Sequence, residues 1–402
     1  MTTDADILRP LVEQYLEICA RPEQAERRRL WRKLHDLDSE RPMVYVRAFA
    51  WKELPENVCE CRDSLFRQQE QFLRKSLLKS SFGDDMVFEP WLVMQAAHRA
   101  RGWGVDIPRH TSDEARGSFK VDYPLKSLDD VDKLRTPRHD IDEEKSAENL
   151  ERLQEAVGDL IPISLDRRPA WRVWSADIST DLFYLRGMEN FMIDMLDNPE
   201  GLHRLAKFMS DGILKAHDEA EAAGDWSEPG GELIQGMPYG GGVREPAPNK
   251  QGVPRKELWW FAAAQEFTAV SPQMHEEFLL RYQLPILEKF GAVAYGCCED
   301  LSRKIDMLRA IPNLRRIAVS PFADVPACAE QIGTDYVISY RPSPADMVSY
   351  DWNPDRVRSI LRRDLESCRG CHMDIVLKDV ETVQGDSQRL RRWVETVREV
   401  IE

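Results

Sequence analysis

The strongest constraint on the fold is a repeating order of strand-like and helix-like runs in the last part of this 402-residue chain. The apolar runs AVAYG, LRRIAVS, DYVISY and HMDIVLKD are each followed by a run whose apolar residues have helical spacing. Strands that alternate with helices over short connections lie parallel in one sheet. The sequence therefore predicts an α/β fold built on a parallel sheet.

Upstream segments supply the further strands that a barrel needs. Strand-like runs are predicted at residues 41–51, 85–94, 159–166 and 231–238. The length fits one large α/β barrel with insertions, or two domains. A dinucleotide-binding fold has no support, because no G-x-G-x-x-G motif follows a strand. We predict a (β/α)8 TIM barrel with long insertions over residues 41–402, preceded by a helical extension over residues 1–40.

Charge and hydropathy limit the kinds of partner. The formal net charge is -15, and lysine and arginine are interspersed with acidic residues, which argues against nucleic acid or an anionic membrane as a partner. No apolar stretch approaches the roughly 20 residues that cross a bilayer. The first residues carry acidic side chains and lack the apolar region of a signal peptide. We therefore expect a cytoplasmic protein whose eight cysteines are thiols or ligands rather than disulfides.

Polar side chains at the ends of the predicted strands form the candidate site. In a barrel of this kind the carboxyl ends of the strands share one rim, where the chemistry of the fold lies. The candidates for catalysis or substrate binding at this rim are Arg47, Glu89, Trp91, Asp166, Arg168, Tyr239, Tyr340, Arg341 and Asp379. A further candidate, Glu266, follows the aromatic run ELWWF, which can wall a flat pocket or belong to the core. The alternative for each residue is that strand ends are polar only because loops are polar.

The stretch GAVAYGCCEDL ends an apolar run with two adjacent cysteines. A thiolate at Cys297 is a good zinc ligand, and Glu299 or Asp379 can supply oxygen ligands from nearby loops. The alternative is that Cys297 and Cys298 pack as small apolar side chains beneath the rim. Metal binding and plain packing both remain open at this point.

The order of several segments resembles the uroporphyrinogen decarboxylase superfamily, in particular its methyltransferase-like and uncharacterised branch. The resemblance covers about residues 40–402 and is carried by GDDMVFEP, WGVDI, YPLKSLDDVDKLRTP, LRGMENFMIDMLDNPEGLHRLAKFM, SPQMHEEFLLRYQLPILEKFG and VLKDVETVQGDSQRLRRWVETVREV. It implies a (β/α)8 barrel. The superfamily includes cofactor-free porphyrinogen decarboxylases and zinc-dependent methyltransferases linked to corrinoids.

Two turns depart from the decarboxylase pattern. That pattern has an arginine-rich turn after the first strand and an aspartate after the second. Here the first turn has Arg47 alone, and Pro90 stands where the aspartate would be, with Glu89 beside it. A site for a porphyrinogen with many carboxylates needs several cations, so the resemblance argues against porphyrinogen decarboxylation.

The methyltransferase pattern is matched in part. Its His-x-Cys reads Tyr295-Gly296-Cys297 here, and Lys378-Asp379 occupies the region of its second cysteine. In the related methionine synthases a glutamate ligand would fall near Ser320. The resemblance therefore implies a rebuilt zinc site with Cys297, Glu299 and Asp379 as ligands.

The leading hypothesis is an enzyme that moves a methyl group between a small methylated substrate and a corrinoid on a partner protein, assisted by zinc. Glu89, Asp166 and Arg341 would orient the substrate. One alternative is a metal-free decarboxylase or lyase that acts on a small carboxylate through Arg47, Arg168 and Arg341. Another is a non-catalytic barrel that binds a tetrapyrrole. The resemblance also implies a possible homodimer.

Overall fold

The computed structural model describes residues 3–99, 102–111 and 119–402. Its α-helices are α1 Asp4–Cys19, α2 Glu23–His35, α3 Ser64–Lys79, α4 Glu143–Val157, α5 Ser179–Arg186, α6 Met188–Asp197, α7 Pro199–Ala223, α8 Pro272–His275, α9 Arg281–Leu287, α10 Ile305–Leu308, α11 Val325–Ile332, α12 Pro354–Ser367 and α13 Gln388–Ile401. Its strands are β1 Met43–Val46, β2 Leu92–Gln95, β3 Arg109–Thr111, β4 Phe119–Val121, β5 Ile163–Asp166, β6 Trp259–Ala262, β7 Ala292–Tyr295, β8 Leu314–Val319, β9 Val337–Tyr340 and β10 His372–Leu377. Within these ranges no helix combines the length and the apolar character needed to cross a membrane.

Parallel strands form the centre of the molecule, as the sequence predicts. Six of them pair in the order β1-β10-β9-β8-β7-β6, and β2 pairs with β5 in a separate parallel ladder. Backbone groups of the outer strands β1 and β5 also form hydrogen bonds with side chains outside the ladders. The amide of Val46 donates to the Asp84 carboxylate at 2.8 Å, and the Asn249 side chain donates to the carbonyl oxygen of Ile163 at 2.9 Å. The structure thus gives a mixed α/β fold with a six-stranded parallel sheet.

The prediction of a strand at residues 231–238 was wrong, because this segment contains no strand. The strand that pairs with β7 is β6. Gly236 shows how closely this segment approaches the sheet, because a Cβ there would lie 2.1 Å from the guanidinium of Arg316. The segment passes close over the end of the sheet instead of pairing within it. Strand β6 has the sequence WWFA, which is aromatic and fully buried and suits a central strand.

The predicted helical extension contains α1, which packs against α3 and α4, and α2, which lies at the amino-terminal end of the sheet. Trp31 donates its indole N–H to the carbonyl oxygen of Asp85 at 2.8 Å. The His35 ring nitrogen Nδ1 lies 2.6 Å from the carbonyl oxygen of Tyr239. Ser39, which follows α2 within the predicted extension, contacts the ring of His372 at the start of β10. Chemistry at the opposite, carboxyl-terminal end is therefore unobstructed by these two helices.

One buried ion pair holds three neighbouring strands together inside the sheet. Arg316 on β8 lies 3.0 Å from the Asp374 carboxylate on β10 and 2.8 Å from the Ser339 hydroxyl on β9. It also donates to the carbonyl oxygen of Gln235 at 3.1 Å. The two charged side chains are 1% and 0% exposed, so the pair is shielded from water.

His217 on α7 makes the stability depend on pH. It is fully buried, its Nε2 lies 2.7 Å from the Trp171 carbonyl oxygen, and burial lowers its pKa to about 4. The unfolded chain binds this proton near pH 6.5, so the neutral folded state loses stability as the pH falls from about 6.5 to about 4.

We expect this loss of stability to reach about 3 kcal/mol and to shrink in His217→Gln, measured by urea unfolding across that pH range. The exposed His110→Gln is the control, and an unchanged slope in His217→Gln would contradict the assignment.

Candidate functional site

Two thiols meet a lysine at the carboxyl-terminal end of the sheet. Cys297 and Cys298 follow β7, and Lys378 follows β10. The lysine Nζ lies 3.4 Å from Sγ of Cys297 and 3.1 Å from Sγ of Cys298. Strands β7 and β10 are three positions apart in the sheet order, which is roughly 14 Å along a flat sheet. The sheet is therefore strongly curved, and the ends of distant strands face one another.

The backbone around Cys297 is fixed by two charged side chains. Glu299 accepts hydrogen bonds from the amides of Ala264 and Cys297, each at 2.7 Å. Arg341, which follows β9, donates to the carbonyl oxygens of Gly296 at 3.2 Å and Cys297 at 2.7 Å. Gly296 has a φ of 98°, which favours glycine and turns the chain sharply before the thiols. These bonds fix the backbone from which the thiol of Cys297 projects.

The two sulfurs lie 3.6 Å apart and differ in acidity. The hydrogen bond from Cys298, together with the positive charges of Arg341 and Lys378, lowers the pKa of Cys297. The same hydrogen bond and burial raise the pKa of Cys298. Asp379 contacts Lys378, its carboxylate lies 3.6 Å from Sγ of Cys298, and its φ is 56°. Cys297, Cys298, Lys378 and Asp379 together hold a thiolate beside an ammonium ion at the carboxyl-terminal end of the strands.

The donor set does not fit the zinc site that the resemblance implies. Within the described part of the chain, no group of three or more His, Cys, Asp or Glu side chains is arranged to hold a metal ion. Glu299 uses both carboxylate oxygens on backbone amides, and the ammonium of Lys378 lies where a cation would meet the sulfurs. Coordination of zinc by Cys297, Glu299 and Asp379 therefore stays a prediction from the resemblance alone.

Replacement of Glu299 tests whether its carboxylate holds the backbone in place or is free to bind a ligand. We expect Glu299→Ala to lower the free energy of unfolding by about 2–3 kcal/mol, because two buried amides lose their acceptor. Urea unfolding measures the change, with the exposed Glu288→Ala as the control. A variant of unchanged stability would show that the carboxylate is free for another role.

Four other predicted residues lie at the carboxyl-terminal end of the strands. Asp166 ends β5 and pairs with Arg168 and Arg172, each at 2.9 Å; burial raises its pKa, but the two guanidinium groups hold it below the ordinary value. Glu266 follows β6 and accepts from the Ser179 hydroxyl at 2.8 Å, and burial raises its pKa. Arg47 follows β1 and lines a cavity. Their roles in catalysis or binding stay predictions.

Four predicted residues do not lie at this rim, and their placement there was wrong. Glu89 and Trp91 precede β2, because the strand begins only after Pro90, which cannot donate to a ladder. Glu89 pairs with Arg28 of α2 at 2.8 Å and also contacts the Tyr239 hydroxyl. Glu89 and Tyr239 therefore both lie beside the amino-terminal helices.

The other two of these four residues are Trp91 and Tyr340, and both side chains bond to groups away from the rim. The indole N–H of Trp91 donates to the carbonyl oxygen of Pro229 at 2.9 Å. Tyr340 ends β9, and its hydroxyl donates to Asp364 on α12. Its side chain therefore faces the helix layer.

Two cavities open near the strand ends. The first, of about 340 Å³, is lined by basic and aromatic side chains and one acid: Arg47, Ala48, Phe49, Trp51, Phe72, Lys75, Ser76, Lys79, Met86 and Glu232. Three cations face a single carboxylate in it, and Glu232 lies 2.5 Å from Lys79 and 4.0 Å from Arg47. The second, of about 370 Å³, is lined by residues that include Gln95, Asp166 and Arg172.

Sequence reasoning missed Lys378 as the partner of the thiols, although it directly precedes the predicted ligand Asp379. The signal was present, because Lys378 is the first residue after the last strand. Arg172 and Gln235 were also missed, and no pattern marks either: Gln235 Oε1 lies 3.8 Å from Sγ of Cys297 but belongs to an irregular loop.

Comparisons with known proteins add little beyond this geometry. No protein-family model matches the chain, and no curated protein matches it. Among solved structures, a methyltransferase from Methanosarcina mazei is similar with a TM-score of 0.49 and 11% sequence identity. That similarity covers 92% of this chain and 97% of the other.

Proposed function

We propose that the chain is an enzyme of the (β/α)8 class that transfers a methyl group, with Cys297 as the group that takes up and releases it. The contact of Lys378 with both sulfurs carries this proposal. An ammonium ion beside a sulfur favours the thiolate, which is the nucleophilic form of cysteine. Closure of the eight parallel strands into one barrel is part of the proposal, and the approach of Lys378 to the thiols from a distant strand supports it.

Methyl transfer to a thiolate is a single displacement. The Cys297 sulfur attacks the methyl carbon of an activated donor, the carbon–sulfur bond forms, and the bond to the leaving group breaks with its electron pair. In the reverse step the thiolate is the leaving group, and the positive charges of Lys378 and Arg341 stabilise it as it departs. A corrinoid on a partner protein would supply or accept the methyl group, and this partner stays a prediction from the resemblance.

Methylation of the thiol tests the proposal directly. The full chain is incubated with methylcobalamin, and the cysteine peptides are analysed by mass spectrometry. We expect S-methylation at Cys297 in the parent protein and at least a tenfold slower reaction in Lys378→Met. Cys59→Ser, which removes a thiol elsewhere, should behave as the parent. Methylation spread evenly over the cysteines, or none at Cys297, would overturn the proposal.

A second candidate function is a metal-free lyase acting on a small carboxylate. The basic cavity beside Arg47 favours it, because three cations face one carboxylate between aromatic walls. An organic anion with a flat apolar body suits such a cavity. The breaking of a carbon–carboxylate bond would release carbon dioxide and leave a carbanion that takes up a proton.

Binding of benzoate tests this second candidate. We expect calorimetry to detect benzoate but not benzylamine, and Arg47→Met to weaken benzoate binding about tenfold. The exposed Lys289→Met is the matched control. Equal binding of the two probes, or no binding of benzoate, would remove the second candidate.

A further inference from the structure

The two sulfurs at the strand end differ in their access to solvent. Cys297 is 4% exposed, whereas Cys298 is half-buried and contacts both Lys378 and the exposed side chain of Asp379. The sulfurs are 3.6 Å apart, so little movement brings them to the bonding distance of about 2.05 Å. Cys298 is therefore accessible to a reagent from solution, whereas Cys297 lies buried next to it.

The other thiols with a described hydrogen bond have oxygen partners. Cys61 contacts the carbonyl oxygen of Asp4, Cys328 contacts the hydroxyl of Ser302, and Cys371 contacts the carbonyl oxygen of Ala329. None of the three has a lysine at hydrogen-bonding distance in the described part of the chain. The pair at residues 297 and 298 is therefore set apart by its two sulfurs and its cation.

We propose that Cys297 and Cys298 form a site of reversible modification by small-molecule disulfides of the glutathione type. Cys298 exchanges with the incoming disulfide, and Cys297 resolves the product into a bond between the two neighbours. This inference goes beyond methyl transfer, and the reaction it describes does not require methyl transfer to occur.

The reaction balances with the disulfide as the oxidant. The Cys297 thiolate takes the proton of Cys298 across the hydrogen bond between the two sulfurs as Cys298 attacks one sulfur of the disulfide. The first small thiolate leaves and takes this proton from Cys297. The Cys297 sulfur then attacks the sulfur of Cys298, and the second thiolate leaves. The two protein sulfurs are oxidised by two electrons, and the small disulfide is reduced to one thiol and one thiolate.

The product is expected to be easily reduced. Adjacent residues have Cα atoms about 3.8 Å apart, which is below the usual range for a disulfide, and departures from that range make the bond more reducible. A strained and accessible disulfide is labile, which suits reversible modification. If Cys297 carries the methyl group as proposed above, the oxidised form cannot accept it.

Mass spectrometry after treatment with oxidised glutathione tests the inference. In the parent protein we expect the peptide containing residues 297 and 298 to lose two hydrogens and to regain them with dithiothreitol. Cys297→Ser should accumulate a glutathione adduct at Cys298, because the resolving sulfur is missing. Cys298→Ser should react at least tenfold more slowly, because only the buried sulfur remains. Cys59→Ser is the control for loss of an unrelated thiol.

Several outcomes would overturn the inference. These are a stable glutathione adduct in the parent protein, or equal rates in Cys298→Ser and the parent. Circular dichroism of both serine variants checks that they fold. Failure of this test leaves the methylcobalamin result untouched, since that reaction needs only one sulfur.

Discussion

Replacing Arg316 by methionine is expected to lower the free energy of unfolding by about 3–5 kcal/mol. The change leaves the Asp374 carboxylate buried without its counter-ion, and it also removes the donor to Ser339 and Gln235. Burial already raises the pKa of Asp374, and Arg316 opposes that rise. Urea unfolding at pH 7 measures the loss.

A double variant separates the isolated charge from lost packing. Arg316→Met combined with Asp374→Leu removes both charges, and we expect it to recover most of the stability lost by Arg316→Met alone. Arg9→Met is the surface control, since Arg9 and Asp159 form an exposed pair that contributes about 1 kcal/mol or less. A loss below 1 kcal/mol in Arg316→Met would mean that water reaches Asp374.

Replacing Lys378 by methionine is expected to slow alkylation of the Cys297–Cys298 pair by about 10-fold at pH 5, which is close to the lowered pKa of Cys297. A positive charge within hydrogen-bonding distance lowers the pKa of an acidic group by about 1–3 units, so its removal reduces the thiolate fraction about 10-fold or more at a pH near the original pKa. Iodoacetamide with mass-spectrometric detection of the modified peptide measures the rate. Arg341 remains in the variant, so some thiolate persists.

Lys378→Arg provides the matched control, because it keeps the positive charge at nearly the same place. We expect it to retain most of the alkylation rate, and the exposed Lys289→Met to retain all of it. If Lys378→Met reacts as fast as the parent protein, the ammonium does not stabilise the thiolate and the methyl-transfer proposal loses its main support.

Hydrophobic patterning located the late strands well because each is short, apolar and followed by a helix. It failed at residues 231–238, where apolar residues lie in a loop that passes over Arg316. It also placed Glu89 at the wrong end of a strand, because residues 86–88 are apolar but belong to a segment that bonds to the side of β1 and to the N-terminal helices. Apolar content alone does not distinguish a ladder strand from a buried loop.

The sequence by itself determined the parallel α/β architecture, the helical N-terminal extension and the position of Cys297 at a strand end. Those features depend on local periodicity and chain order. Only the tertiary structure decided that Lys378 contacts both sulfurs and that Glu299 is bound to backbone amides. Such contacts join residues about 80 and 35 positions apart, and they depend on the curvature of the sheet, which no local pattern encodes.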